Sequence, residues 1–207
     1  MDVVLFGATG KAGSRILQEL LSRGHQVTAV ARDTSSLPSN VKPMQDDLSN
    51  VENIASIIQG RDAVISAYAP PQHNTDALLG VTERQIAAVK RVGDIRLIVV
   101  GGAASLEVAP GVTLLDSGHL PAEWVPIATS HANALQILQA SDINWSYFSP
   151  AAYFGPGERT GKFRLGKNDL VADSQGNSRI SMEDYAIALV DELEKPAHQR
   201  ARFTIGY

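Results

Sequence analysis

The chain of 207 residues carries 18 lysines and arginines against 22 aspartates and glutamates, a net charge of -4, and is 44% hydrophobic and 19% charged. That composition describes one ordinary globular domain with a substantial core, and it gives no electrostatic reason to expect nucleic acid or an anionic membrane as a partner. There is no cysteine, which excludes disulfides, thiolate nucleophiles and cysteine metal sites.

Residues 3–6, Val-Val-Leu-Phe, form a continuous apolar run, the pattern of a strand buried on both faces of a parallel sheet. After a glycine-rich turn, Ile16, Leu17, Leu20 and Leu21 recur at helical spacing, and Gly24 reads as the residue that ends the helix. Residues 26–30 predict a second strand, 41–45 a weaker third, and 51–59 a short helix that stops before Gly60. Strand four is predicted over 62–70, a long helix over 74–92, and strand five over 96–105. An alanine-rich helix over 121–140 then leads to strand six over 144–150. Strands thus alternate with helices from residue 2 to residue 150, which predicts an α/β fold of βαβ units wound on a parallel sheet.

Beyond Pro150 the text changes. Residues 155–179 are rich in Gly, Asp, Asn and charge, a connection of the length that is usually functional. Helix returns over 182–193, Pro196 ends it, and 202–205 predict a last strand. The expected organisation is a single domain over 1–207, with a nucleotide-binding core over 1–150 and an acceptor-side loop, helix and strand over 151–207. No apolar run approaches the roughly 20 residues of a membrane span. Asp2 and Gly7 interrupt any leader-like pattern, so a cytoplasmic protein is expected. The histidines do not cluster, and no metal site is expected. The helices over 74–92 and 121–140 either pair two copies as a homodimer or simply cover the sheet.

Directly behind the first strand stands LFGATGKAG, with glycines at Gly7, Gly10 and Gly13. Strand, glycines and helix in that order are the context of a phosphate cradle. Gly7 turns the chain, Gly10 admits a pyrophosphate against the backbone, and Gly13 lets the helix pack close to the sheet. Ala8, Thr9, Lys11 and Ala12 complete the loop, and the helix N-terminus offers N–H groups and a positive dipole to phosphate. An acid at the end of strand two suits the 2′-hydroxyl of NAD, whereas an arginine there suits the 2′-phosphate of NADP. Here Ala31 stands in the acid's place, Arg32 follows, and Asp33 comes one residue late. NADP(H) is therefore expected ahead of NAD(H), which stays possible, with Lys11 adding a second positive charge.

Together these residues resemble the short-chain dehydrogenase/reductase superfamily, in its atypical, NmrA-like branch, whose glycine motif takes the form of GATGKAG. The resemblance implies a Rossmann-type doubly wound sheet. It implies that Asp47 and Leu48, in DDLSN, sit at the adenine ring, as an Asp-Leu pair after strand three does in that branch. LQASDINWSYFSP looks like the branch's segment at strand six, with Ser149 in place of the usual Arg before Pro150. GERTGKFRLG and SRISMEDYAIALVDELEKP are similar to a group of small bacterial NADH-flavin reductases, related in shape to biliverdin reductase B.

Most members of the superfamily carry a Ser near strand five and a Tyr-x-x-x-Lys on the next helix. The Tyr protonates a carbonyl oxygen; the Lys lowers its pKa and holds the nicotinamide ribose. Matched through LQASDINWSYFSP, the Lys position falls on His131, the Tyr position on Ile127, and the Ser position on Gly101 or Gly102. Ile127 has no proton to give. A flavin or quinone takes hydride into a delocalised system and draws its proton from solvent or a neighbour. The expected activity is accordingly an NAD(P)H-dependent reductase of such a small-molecule acceptor, the flavin being an acceptor rather than a bound prosthetic group. The alternative is a non-enzymatic NADP(H)-binding redox sensor of the NmrA type. His131 has three readings: a ribose ligand in place of the Lys, a catalytic proton donor near neutral pH, or a helix-face residue without a ligand.

Ligands of open α/β sheets lie beyond the carboxyl ends of the strands. That places Ala67 and Tyr68 after strand four, Gly101 and Gly102 after strand five, and Pro150 after strand six around the nicotinamide. Tyr153 and Phe154 are candidates to stack on a planar acceptor, and equally good packing residues. Arg159, with Lys162 and Arg164, either attracts a flavin phosphate or carboxylate or forms a charged face in water.

Overall fold

The computed structural model describes residues 1–93 and 95–207. The N-terminal apolar run becomes β1 (Asp2–Phe6), with Val3, Val4, Leu5 and Phe6 fully buried, as a strand covered on both faces must be. Helix α1 (Lys11–Ser22) stops at Gly24, whose φ of +78° costs a glycine nothing. Then follow β2 (Gln26–Ala31), β3 (Lys42–Gln45), α2 (Val51–Ile58), β4 (Ala63–Ser66), α3 (Ala77–Val92) and β5 (Arg96–Val100). A small hairpin, β6 (Glu107–Ala109) and β7 (Val112–Thr113), precedes α4 (Val125–Gln139) and β8 (Trp145–Ser149). The chain ends in β9 (Tyr153–Gly155), β10 (Arg164–Gly166), β11 (Arg179–Ser181), α5 (Met182–Glu194) and β12 (Ala201–Gly206).

The main sheet runs in the order β10-β12-β8-β5-β4-β1-β2-β3. All neighbours are parallel except the edge strand β10, which is antiparallel to β12. This is a Rossmann-like α/β arrangement. Because β1 lies between β2 and β4, successive crossovers leave it in opposite directions, and the crevice at its carboxyl end is the switch point where such sheets bind ligands. Helices α1 and α5 pack together on one face, over a core that includes Ile16, Leu20, Phe148, Tyr185 and Phe203. Helices α2, α3 and α4 cover the other, over Phe6, Ile54, Ile58, Leu97 and Tyr147.

Several predicted boundaries shift for one reason: a strand lasts only as long as its neighbours. The run over 62–70 leaves the sheet after Ser66, where β1 ends at Phe6 and the β5 register ends at Val99. The run over 96–105 likewise stops at Val100. The long helix begins at Ala77 rather than 74, and the alanine-rich one is split into a 3-10 turn (Ala122–Trp124) and α4. The segment over 155–179 is not structureless. It holds β10, which pairs with β12, and it connects β9 to its parallel partner β11. Three-residue strands carry no periodicity of their own and exist through tertiary pairing. No helix among the described residues is long and apolar enough to cross a membrane.

Candidate functional site

At the carboxyl end of β1 lies a cavity of about 240 Å³ lined by Gly7, Thr9, Gly10, Arg32, Asp46, Asp47, Leu48, Ala67 and Tyr68, among others. Its floor is backbone. Gly7 has φ +76°, and a Cβ there would lie 2.4 Å from the carbonyl oxygen of Ala67. A Cβ on Gly13 would lie 2.0 Å from the carbonyl oxygen of Gly7. Three chain segments thus meet at distances that only hydrogen atoms can fill. The N–H groups of Gly7 and Ala8 both point to the Val30 carbonyl, at 3.0 and 3.2 Å, which ties the loop to β2. No side chain caps α1, so its first-turn N–H groups, those of Lys11, Ala12 and Gly13, lack an intrahelical acceptor and favour an anion. Ala8 departs from its expected role: its methyl is buried in the core, and it shapes the loop rather than lining the crevice.

At the end of β2, Ala31 is buried and Arg32 is exposed at the cavity rim. The Arg32 guanidinium has no carboxylate partner among the described residues. Asp33 accepts the Ser35 N–H at 2.9 Å and so spends its carboxylate on its own turn. The rim therefore carries a free positive charge and no competing acid from this loop.

On the opposite rim, Leu48 adopts φ +62°, a left-handed conformation costly for a side chain with a Cβ. Two contacts hold it there. Its N–H donates to Asp46 Oδ1 at 2.7 Å, and its carbonyl accepts from Arg84 Nε of α3 at 2.6 Å. Hydrogen bonds from Ser49 hold the neighbouring Asp47 carboxyl below its ordinary range. Arg84→Ala is expected to loosen this rim and weaken NADPH and NADH binding alike, by roughly five- to tenfold, the value of about one ordinary hydrogen bond, because Arg84 acts on the nucleotide only through the rim. Parallel titrations with the two nucleotides measure it; a loss confined to one of them would contradict the clamp.

A second cluster lies at the ends of β5 and β8. The Gly101 N–H donates to the Phe148 carbonyl at 2.8 Å, and a Cβ on Gly101 would sit 2.3 Å from the Tyr147 ring. A Cβ on Gly102 would sit 2.8 Å from His131 Cβ and Cγ. The two glycines thus stand where the resemblance expects a Ser because Tyr147 and His131 occupy the space beside them. Tyr147 is fully buried, and burial pushes its phenol well above the ordinary range. Burial also pulls His131 down to about 4. That direction weighs against the reading of His131 as a proton donor near neutral pH.

The same shift predicts a pH dependence. The unfolded histidine, at about 6.5, binds a proton that the folded one refuses until about pH 4. Between those values the unfolded state holds more protons, so stability is fully present above about pH 6.5 and falls as pH is lowered. The loss reaches at most about 3 kcal/mol near pH 4. Chemical denaturation at pH 7 and pH 4.5, wild type against His131→Gln, isolates it; identical pH slopes in the two proteins would contradict it.

The remaining expected residues separate. Pro150 is buried at the end of β8. Phe154 is partly buried and packs against the core, its ring 4.7 Å from that of Tyr185, which favours its reading as a packing residue over an acceptor platform. Tyr153 is 65% exposed and lines a different hollow, with Lys162, Arg179 and Tyr207. Arg159 is likewise corrected: its guanidinium makes two hydrogen bonds, at 3.0 and 3.1 Å, to the buried carboxylate of Glu19 on α1. The loop that carries Arg159 is anchored by the fully buried Asp184, which accepts from the Thr160 and Gly161 N–H groups at 2.8 Å each.

The cavity therefore gathers Gly7, Thr9, Gly10, Arg32, Asp47, Leu48, Ala67 and Tyr68, and the β5–β8 cluster gathers Gly101, Gly102 and His131. Sequence reasoning missed Asp46, Arg84 and Tyr147. Asp46 was legible as the first acid of DDLSN. Arg84 and Tyr147 carry no local signal, because each matters through a partner on another element. A dinucleotide fits what is present: a backbone floor that a Cβ would fill, an uncapped helix N-terminus and a guanidinium without a carboxylate partner among the described residues.

A family model described as NAD(P)H-binding matches residues 7–196. The chain is 41% identical to the uncharacterized protein YwnB of Bacillus subtilis, over 99% of this chain and 98% of that one. Among solved structures, it is 43% identical to one called a "putative epimerase" from Bacteroides thetaiotaomicron, with a TM-score of 0.93 and coverage of 100% of this chain and 96% of that one. It is 34% identical to one called a "putative NADH-flavin reductase" from Streptococcus pneumoniae, with a TM-score of 0.92 and coverage of 100% and 99%.

Proposed function

The chain belongs to the NAD(P)H-binding family, and from that membership we propose that it is an NADPH-preferring oxidoreductase that delivers hydride to a flavin, quinone or similar conjugated acceptor. Bound reduced nicotinamide supplies the hydride. The protein's own residues do the rest. The α1 N-terminus and the Gly7–Gly13 loop receive the pyrophosphate, Arg32 receives the 2′-phosphate, and Asp46, Asp47 and Leu48 flank the adenosine. His131 and Gly102 stand at the nicotinamide end.

The observation that carries the acceptor class is that the expected catalytic positions carry no ready acid. By the resemblance Ile127 stands at the Tyr position, burial opposes protonation of His131, and Tyr147 is a buried phenol. A carbonyl substrate needs a proton delivered to its oxygen as hydride arrives, whereas a conjugated ring system spreads the charge and draws a proton from water. Orientation and exclusion of solvent are then the protein's main contributions. The relative called an NADH-flavin reductase supports this reading; the one called an epimerase is less consistent with the missing Tyr.

The same lack of a ready acid favours a second reading, a nucleotide-binding redox sensor without turnover. One assay separates the two. Purified protein with NADPH or NADH is offered FMN, FAD and a set of quinones, and nicotinamide oxidation is followed optically. Oxidation above the protein-free rate with at least one acceptor is expected. Tight nucleotide binding without any such rate would establish the sensor instead.

A further inference from the structure

Tyr147 Oη is the key to the state of His131. The phenol oxygen has one proton and three neighbours: the Gly102 N–H at 3.0 Å, the His131 carbonyl oxygen at 3.0 Å and His131 Nδ1 at 3.3 Å. The Gly102 N–H is a donor, so Oη accepts there. The carbonyl oxygen only accepts, so the phenol proton is directed to it; were that proton given to Nδ1, two oxygens would face each other across 3.0 Å with nothing between them. Nδ1 consequently faces a phenol lone pair and must carry a hydrogen of its own. A neutral imidazole has a single N–H, which leaves Nε2 bare. Nε2 has no protein partner among the described residues and is not one of the buried orphan atoms, so it keeps contact with solvent.

We propose that His131 presents Nε2 as a hydrogen-bond acceptor to a hydroxyl of the nicotinamide ribose, and that Tyr147 is the positioning residue that selects this tautomer. The proposal rests on the crevice at β1 being the NAD(P)H site. Gly7 and Ala67 line that crevice, and at the end of β5, the strand paired with β4, Gly102 lies against the His131 ring. A lysine at this position would donate to the ribose. Here the polarity is reversed, and the ribose hydroxyl becomes the donor. Burial of the ring reinforces the arrangement by opposing protonation of Nε2. His131 then has no acidic proton to release at neutral pH, in keeping with an acceptor that takes its proton from water.

The test is long-range 1H–15N correlation on histidine-labelled protein at pH 7, with His131→Gln identifying the resonances. The expected result is a protonated Nδ1 and a bare Nε2 in the free protein. Added NADP+ should move the Nε2 resonance toward its hydrogen-bonded position, whereas 2′,5′-ADP, which lacks the nicotinamide ribose, should leave it in place. Tyr147→Phe should shift the ring toward the Nε2–H form and weaken NADP+ several-fold with 2′,5′-ADP unchanged. A charged ring or an Nε2–H ring in wild type would overturn the proposal without need of any variant. So would an Nε2 resonance that ignores NADP+, or a folded Tyr147→Phe protein with the wild-type tautomer. A protein that binds NADP+ with these shifts and reduces no acceptor would refute the reductase reading and leave this one standing.

Discussion

Gly7→Ala is expected to weaken dinucleotide binding at least a hundredfold and to lower the melting temperature on the order of 10 °C. Two costs combine. A residue with a Cβ at φ +76° is strained by roughly 1–3 kcal/mol. In addition, its Cβ would stand 2.4 Å from the Ala67 carbonyl oxygen, a backbone atom held by the Ala67 N–H bond to Phe6 at 2.9 Å. Relieving that overlap means separating the first loop from the segment after β4, the two sides of the crevice. Gly176→Ala provides the comparison. Its φ is +84°, and a Cβ there meets nothing within 4 Å, so it should lose about 1 kcal/mol of stability and no affinity. Calorimetric titration and thermal melts of both variants decide the matter; equal behaviour of the two would show that the close approach at Gly7 does not matter.

The second large effect concerns the choice of nucleotide. Arg32→Ala is expected to weaken NADPH by roughly ten- to a hundredfold, the value of a charge-assisted hydrogen bond of about 1.5–3 kcal/mol, and NADH by no more than about twofold. The guanidinium is exposed, so the NADPH preference of the wild type should also shrink as salt is raised through the range where the Debye length falls below about 10 Å. Arg32→Asp should carry the protein further, to a preference for NADH, because an acid then meets the ribose 2′-hydroxyl. Equal losses for the two nucleotides in Arg32→Ala would remove the electrostatic argument for NADPH. The contrast with Arg84→Ala, expected to act on both alike, separates a charge that reads the 2′-phosphate from a contact that holds the adenosine rim.

How much of this was legible before the structure differs from one residue to the next. Gly7, Gly13 and Arg32 were readable because each sits at a fixed offset from the end of a strand, and strand ends are marked by apolar runs. Arg159 could be read either as a ligand for an anion or as part of a charged face in water, because its sequence neighbours Lys162 and Arg164 are basic. Its actual partner, Glu19, lies 140 residues away on α1. Phe154 and Tyr153 are adjacent, and the alternation of a strand packs one, partly buried, against the core and sends the other to solvent. Without knowing that 153–155 would pair with 179–181, there was no strand and therefore no alternation to read.

By itself, then, the sequence determined the α/β class, the alternation of strands and helices to residue 150, and the glycine loop at the end of the first strand. Those features arise from hydrophobic period and backbone permissiveness, which act over a few residues. Only the tertiary structure decided which charges are free and which are spent, which aromatic rings are core, and in what protonation state His131 is held. Those depend on burial and on partners brought together from distant elements. Among the described residues Arg32 has no carboxylate partner, since Asp33 is occupied with Ser35, and Glu19 has claimed Arg159. Protonation of His131 is opposed because α4 lays its ring against Gly102 and beside the Tyr147 phenol, where it is partly buried.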